Sequence, residues 1–206
     1  MEISIKLLSL VLLAISFNSY SATPENCFIT KSINNNSVEI TGYVCESKDV
    51  VIPEKINNIL VTSIGDNAFA VNQLTSVVIP DSVMSIGAFA FRRNQLTSVD
   101  IPDSVTSIKK FAFFSNKLTS VDIPDSITSI ETFAFYSNKL TSVDIPDSVT
   151  SIGYMAFADN QLTKISLTAS LELRSSGFPE DFISFYDETF RQAGVYKFKD
   201  GVWIKL

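Results

Sequence analysis

A repeat solenoid is the fold class this sequence predicts: a right-handed coil in which short parallel β-strands alternate with short helical or turn segments. Three observations carry that reading. The phrase LTSVDIPDSVTSI at Leu96 to Ile108 returns letter for letter at Leu140 to Ile152, and the copy between them, Leu118 to Ile130, differs only at Ile127. Leu74, Leu96, Leu118, Leu140 and Leu162 stand 22 residues apart, as do Pro80, Pro102, Pro124 and Pro146, and Phe69, Phe91, Phe113, Phe135 and Phe157. The apolar positions of one unit, Leu74, Val77, Ile79, Val83, Ile86, Phe89 and Phe91, recur from copy to copy. A unit this short cannot bury its own apolar face, whereas a stack buries all of them in continuous columns.

Taken in chain order, residues 1–21 read as a secretory signal peptide. A short n-region with one Lys is followed by an apolar run of 11 residues, Leu7 to Phe17, and then by small and polar residues. Cleavage after Ser21 places Ser at both −1 and −3. A membrane-spanning helix needs about 20 apolar residues, so the run is too short for one. The mature protein is therefore expected to be secreted, periplasmic or at the cell surface, with no membrane insertion after cleavage. A net charge of −6 excludes nucleic acid and an anionic membrane as natural partners, because either requires a basic patch.

Residues 22–73 read as an N-terminal cap with the first partial repeats. Two β-prone runs flank Asn34, Asn35 and Asn36, a turn-forming triplet. Folding about Asn36 brings Cys27 opposite Cys45, since both lie nine residues from it. A cross-strand disulfide is then within reach and suits an oxidising compartment. The rival, a metal site, is poorly made from two thiols in a chain with no histidine; no metal and no cofactor is expected.

Residues 74–165 hold the 22-residue repeats, about five of them. Each begins with a β-prone piece, LTSVDI, that ends at Pro-Asp-Ser. Proline lacks the donor needed to continue a ladder, so pairing stops there. The remaining piece, ending in IxxxAF, has the spacing of a tight helical turn. Stacked copies of LTSVDI would form a parallel ladder at about 4.8 Å spacing. Within the lead-in, Pro53 to Ile64 is 11 residues against 6 from Pro80 to Ile86, so five extra residues are expected to project as a loop. The Phe69 to Phe157 column reads as core, not as a binding strip, because it belongs to the apolar set of every unit. Gly65, Gly87 and Gly153 share one repeat position and read as structural. Residues 166–206, in which the phrase decays, read as a C-terminal cap that shields the last apolar layer. VYKF and VWIKL form its hairpin around Asp200-Gly201, and Trp203 is its packing side chain.

IPDSVTSIGAFAF and NQLTSVVIPDSV resemble the BspA-like leucine-rich repeat family, whose unit runs LxxIxIPxxVxxIxxxAFxxC/N. The likeness covers residues from about Ile40 to Leu162 and extends to VEITGY and VVIPEKINNILVTSIGDNAF, which are similar to the opening half-repeats of such proteins. It implies a leucine-rich-repeat coil, a Gly-x-Tyr and Trp hairpin at the C-terminus, and adhesion to host or matrix proteins or cell-to-cell contact.

Chemistry has few places to reside. With no histidine and both cysteines expected to be bonded, nucleophile-plus-base arrangements are absent. No catalytic residue is assigned. Two surfaces remain as ligand-binding candidates. Asp100, Asp122 and Asp144 share one strand position, facing away from the core, and Asp81, Asp103, Asp125 and Asp147 share the turn position after proline. Such ladders repel internally and suit a cation or an amine-bearing ligand, although Asp also serves simply as a turn-maker and solubilising residue. Arg92, Phe114, Tyr136 and Ala158 share the position after AF, so that Phe114 and Tyr136 could stand beside Arg92 as a contact spot for protein or glycan, or fold over the flank as core. Lys109 and Glu131 are expected to form a surface ion pair worth less than about 1 kcal/mol.

The reading is a non-catalytic, monomeric binding protein for an extracellular protein or glycan. A structural spacer without a ligand is one alternative. A carboxylate hydrolase is another, but it needs two acids in unlike environments, and the repeats surround their acids almost identically.

Overall fold

A computed structural model describes residues 21–34, 36–167, 177–188 and 192–206. The expected apolar leader, residue 35 and residues 168–176 lie outside the described residues.

The N-terminal cap opens with a 3-10 turn, Glu25–Cys27, and an antiparallel hairpin of β1 (Phe28–Asn34) and β2 (Ser37–Tyr43). Phe28 pairs with Tyr43, and two irregularities interrupt the ladder. Cys27 consequently faces Val44, whose N–H donates to the Cys27 carbonyl at 3.0 Å, and not Cys45 as the symmetric fold-back predicts. The disulfide Cys27–Cys45 still closes, with Cα atoms 5.1 Å apart, because Cys27 belongs to the 3-10 turn and leaves the strand direction there.

Strand β3 (Asp49–Val51) follows, then β4 (Lys55–Ile56) and β5 (Ile59–Ile64), which pair antiparallel. This hairpin replaces the projecting loop expected for the five extra residues. Asn57 and Asn58 turn the corner with φ of 51° and 62°, a left-handed pair of the kind that suits two-residue hairpins and that asparagine tolerates better than most residues. The insertion is thereby folded back onto the coil.

The repeats contribute β6 (Ser76–Val78), β7 (Ser85–Ile86), β8 (Ser107–Ile108), β9 (Ser129–Ile130), β10 (Ser142–Ile145), β11 (Ser151–Ile152) and β12 (Lys164–Leu167). The cap adds α1 (Glu180–Glu188), β13 (Gly194–Lys199) and β14 (Val202–Lys205). Each turn has three sides. The continuous ladder runs not through LTSVDI but through the second side, where β2, β5, β7, β8, β9 and β11 stack in parallel. Ile40, Ile64, Ile86, Ile108, Ile130 and Ile152 lie in register along it. On the LTSVDI side strands form only at the ends, β3 with β6 and β10 with β12. Both Asp-to-Asp neighbours fall in the open stretch between, where like charges across the rungs oppose pairing; the Val78 to Asp100 step is open as well, so charge is not the whole cause.

The third side, IxxxAF, is a run of overlapping turns instead of a helix. Arg92 N–H donates to Phe89 C=O and Phe114 N–H to Phe111 C=O within a turn, while Phe89, Phe91 and Arg93 donate upward to Lys110, Ala112 and Phe114 of the next. Phe89, Arg93, Phe111, Ser115, Phe133 and Ser137 all carry φ between 55° and 61°. A bulky left-handed residue costs about 1 kcal/mol. The rung-to-rung bonds and ring stacking offset that cost.

Two internal devices hold the stack. Phe69, Phe91, Phe113, Phe135 and Phe157 are fully buried and stack with centroids 5.2 to 5.4 Å apart, as core. Where the chain turns back toward its Leu, Asn94, Asn116 and Asn138 are also buried. Asn116 donates from Nδ2 to the carbonyls of Phe91 and Phe113 at 3.0 and 3.1 Å, and its Oδ1 accepts from Leu96 N–H at 3.2 Å. Asn94 and Asn138 repeat the pattern, which satisfies backbone groups that the corner would leave unpaired. Asn160 does the same at a half-buried site.

At the C-terminal end β13 and β14 extend the β10 and β12 sheet, and Asp200 and Gly201 form the expected turn with positive φ at both. Helix α1, which the sequence reading did not anticipate, brings Phe182 and Tyr186 over the end of the stack. Trp203 is buried against Phe182 at 5.0 Å and donates from Nε1 to Asp181.

Candidate binding surfaces

The two groups of candidate residues stand on different sides of the coil. Asp100, Asp122 and Asp144 are exposed on the LTSVDI side. Their row begins at Val78 and ends at Ser166, which pairs with Asp144. Asp122, Asp125 and Asp144 edge a shallow groove of about 330 Å³ whose floor is Val121, Ile123, Val143 and Ile145. Lys164 reaches Asp144 at 3.5 Å, at the surface, so the pair adds little. Among the described residues no group of three or more His, Cys, Asp or Glu side chains could hold a metal ion. A flat row spreads its oxygens along a line, whereas a hard cation gathers them around one point.

Arg92, Phe114 and Tyr136 lie on the turn side, all half-buried. Phe114 and Tyr136 stack at 5.5 Å with planes 8° apart. They form an outer row over an inner one, Phe89, Phe111 and Phe133, whose rings stack at 4.8 Å. Phe111 meets Phe114 at 5.4 Å and Phe133 meets Tyr136 at 5.3 Å, so the rows make one aromatic strip. The Arg92 guanidinium lies 5.3 Å from the centre of Phe89 and Lys110 Nζ 5.9 Å. Tyr154 closes the other end edge-on against Phe133 at 5.5 Å.

The reason the strip stays half-open is geometric. In each turn a consecutive pair such as Ala112 and Phe113 takes the core, so the rings just before and after it, Phe111 and Phe114, are left half-buried on the outside. Sequence spacing marks Arg92, Phe114 and Tyr136 as a candidate surface but assigns Phe89, Phe111 and Phe133 to the core. Their signal was the left-handed turn, which spacing does not reveal.

Beyond Tyr136 the outer row stops at Ala158. A notch of about 400 Å³ opens there, lined by Tyr154, Met155 and Ala158 of the last repeat and by Phe178, Glu180 and Ile183 of the cap. Near the start of the strip the expected ion pair is present, Lys109 to Glu131 at 3.0 Å, and Glu131 also accepts from the Lys110 N–H. Among the described residues no carboxylate lies within ion-pair distance of Arg92, Arg93 or Lys110. The Arg92 Nε is buried without a hydrogen-bond partner.

Comparison with known proteins fits this architecture. The sequence profile of the BspA type leucine rich repeat region matches residues 62–184 in six copies. The chain belongs to that family. The coil of this BspA-type protein has about six turns, one more than the periodic phrase alone suggests, because the lead-in and the decayed end each supply part of a turn. A leucine-rich repeat protein from Bacteroides ovatus has a similar structure, with a TM-score of 0.65 and 30% identity over 73% of this chain. The chain spans only 42% of that protein's length. The Treponema pallidum leucine-rich repeat protein is similar in fold, with a TM-score of 0.58 and 23% identity over 78% of this chain and 84% of that one. No curated protein matches the chain.

Proposed function

We propose that this BspA-type repeat protein is exported and acts as a non-catalytic binding protein that recognises an extracellular partner through the turn side of its coil. The aromatic strip carries the reading. Phe89, Phe111, Phe114, Phe133 and Tyr136 form a connected half-buried surface, with Arg92 and Arg93 at one end making no ion pair among the described residues, and aromatic side chains with arginine dominate the energetics of binding faces. The N-terminal disulfide supports an oxidising destination, and the family suits a surface or secreted role.

The test is retention of matrix proteins and glycans by the immobilised protein, compared with Tyr136→Glu. Specific retention lost in the variant supports the reading. A protein that retains nothing is a spacer. The acidic groove between Asp122 and Asp144 favours the hydrolase alternative only if glycoside turnover is found and disappears on Asp122→Asn or Asp144→Asn.

A further inference from the structure

The geometry points to a specific class of partner for the turn side: an acidic polypeptide segment with one apolar anchor, lying along the coil axis. This rests on the binding reading above and goes further by naming the chemistry.

The stacking of the rings decides first against neutral sugar. A pyranose packs on the open face of an aromatic ring, but the inner rings use their faces on each other, at 4.8 Å, with Arg92 and Lys110 over Phe89 and the edge of Tyr154 against Phe133. With faces stacked on faces along both rows, the strip presents ring edges along its length, and the outer pair keeps an unstacked face only at each end. Aromatic edges carry the positive part of the quadrupole, so they favour carboxylate and carbonyl oxygen.

Charge points the same way. Although the chain is net −6, the start of the strip gathers Arg92, Arg93 and Lys110 with no carboxylate paired to them among the described residues. The acidic groups that approach the strip are Glu39 and Asp66 beyond its start, which with Glu131 line one pocket beside Lys109 and Lys110, Glu131 being engaged with Lys109 and Asp66 accepting from Ala88 N–H, and Asp159 and Glu180 at the far end. The cationic zone is therefore confined to one end, where Arg92 and Arg93 stand outside the lining of that pocket.

The notch separates protein from anionic glycan. Met155, Ala158, Phe178 and Ile183 make it mostly apolar, and a polysaccharide has no side chain to fill it. Arg92 and Ala158 are three 22-residue turns apart, about 14 Å at the usual strand spacing. An extended segment crosses that distance in about four or five residues. Its acidic end faces Arg93 and Lys110, and its apolar anchor enters the notch.

The experiment uses fluorescence anisotropy with labelled heptapeptides. The first is Glu-Asp-Glu-Ser-Ser-Phe-Ser; one counterpart replaces its acids by Lys, another its Phe by Ala. An oligogalacturonate is the anionic-glycan arm. The acidic Phe peptide is expected to bind at least about tenfold more tightly than the Lys peptide and several-fold more tightly than the Ala peptide, with affinity falling as salt rises. Arg93→Glu with Lys110→Glu should weaken it at least about tenfold, while the charge-matched Lys31→Glu with Lys55→Glu in the N-terminal cap leaves it unchanged. Ala158→Phe, which continues the outer row into the notch, should remove the advantage of Phe over Ala; an unchanged melting temperature shows that it still folds. Equal binding of acidic and Lys peptides, indifference to the strip variants, or no peptide binding would each overturn the inference. Preference for oligogalacturonate would overturn it too while leaving the strip a binding surface, and the retention experiment above judges that broader reading independently.

Discussion

Phe178 stacks on Phe157 with ring centroids 5.2 Å apart and planes within 10° of parallel, although the two are 21 residues apart and Phe178 lies where the repeated phrase has already decayed. The Phe157 N–H also donates to the Gly177 carbonyl. The aromatic column thus continues by one ring into the cap, which seals it with Phe182, Tyr186, Tyr196 and Trp203. Phe178→Ala is expected to lower stability by about 3 to 5 kcal/mol, the usual cost of truncating a fully buried Phe. In urea unfolding followed by Trp203 fluorescence, the cap transition should separate from that of the repeats. A change below about 1 kcal/mol would show that the cap does not depend on the column.

The asparagine corner should be graded by burial. Asn116→Ala removes two donors and one acceptor from backbone groups in the interior, and each group left unpaired costs about 1 to 3 kcal/mol. A loss of about 2 to 4 kcal/mol is expected. Asn160→Ala should lose less, because water reaches that half-buried position. Paired denaturation curves check the order.

Glycine at 87 is a matter of contact, not of flexibility. A Cβ there would lie 2.6 Å from the Asp66 nitrogen and from the Gly65 carbonyl carbon. Gly87→Ala must push two turns of backbone apart and is expected to lower the melting temperature, with a stability loss of about 1 to 3 kcal/mol. Gly153→Ala should behave alike, since its Cβ would meet the Thr132 nitrogen at 2.4 Å.

The disulfide closes a loop with a sequence separation of 18. Cys27→Ser with Cys45→Ser, or reduction, should remove about 3 kcal/mol by the chain-entropy account. Thiol labelling of the denatured, unreduced protein should find no free cysteine.

Hydroxyls of Ser76 and Thr75 donate to Asp49 and hold its carboxyl below the ordinary value of 3.8. A folded pKa below the unfolded one adds stability above the ordinary carboxylate range, and that stability is lost as pH falls through the folded pKa. Asp49→Asn should therefore lower stability slightly at neutral pH and flatten its decline below about pH 4. The group is at the surface, so the effect is small, and melting temperatures across that range would show it.

The period of 22, the in-register isoleucines and phenylalanines, the cap hairpin at Asp200-Gly201 and the Lys109 to Glu131 pair were all legible in the sequence. Each follows from a rule linking spacing to position: equivalent letters in successive turns lie one above another. The Cys27–Cys45 bond was legible too, though its exact register was not, because the ladder irregularities at Ile29/Thr30 and Ser32/Asn34 leave no mark in residue spacing.

Tertiary structure alone decided which side of the turn carries the ladder, that the extra residues at Lys55 to Ile59 fold back as a hairpin, and that Phe89, Phe111 and Phe133 face outward. The reason is common to all three. Apolar spacing specifies that a side chain repeats, but left-handed φ values at Phe89 or Asn57 invert the local direction of the chain, and such values are affordable only where bonds to the next turn compensate for them. That compensation exists only once the coil is stacked.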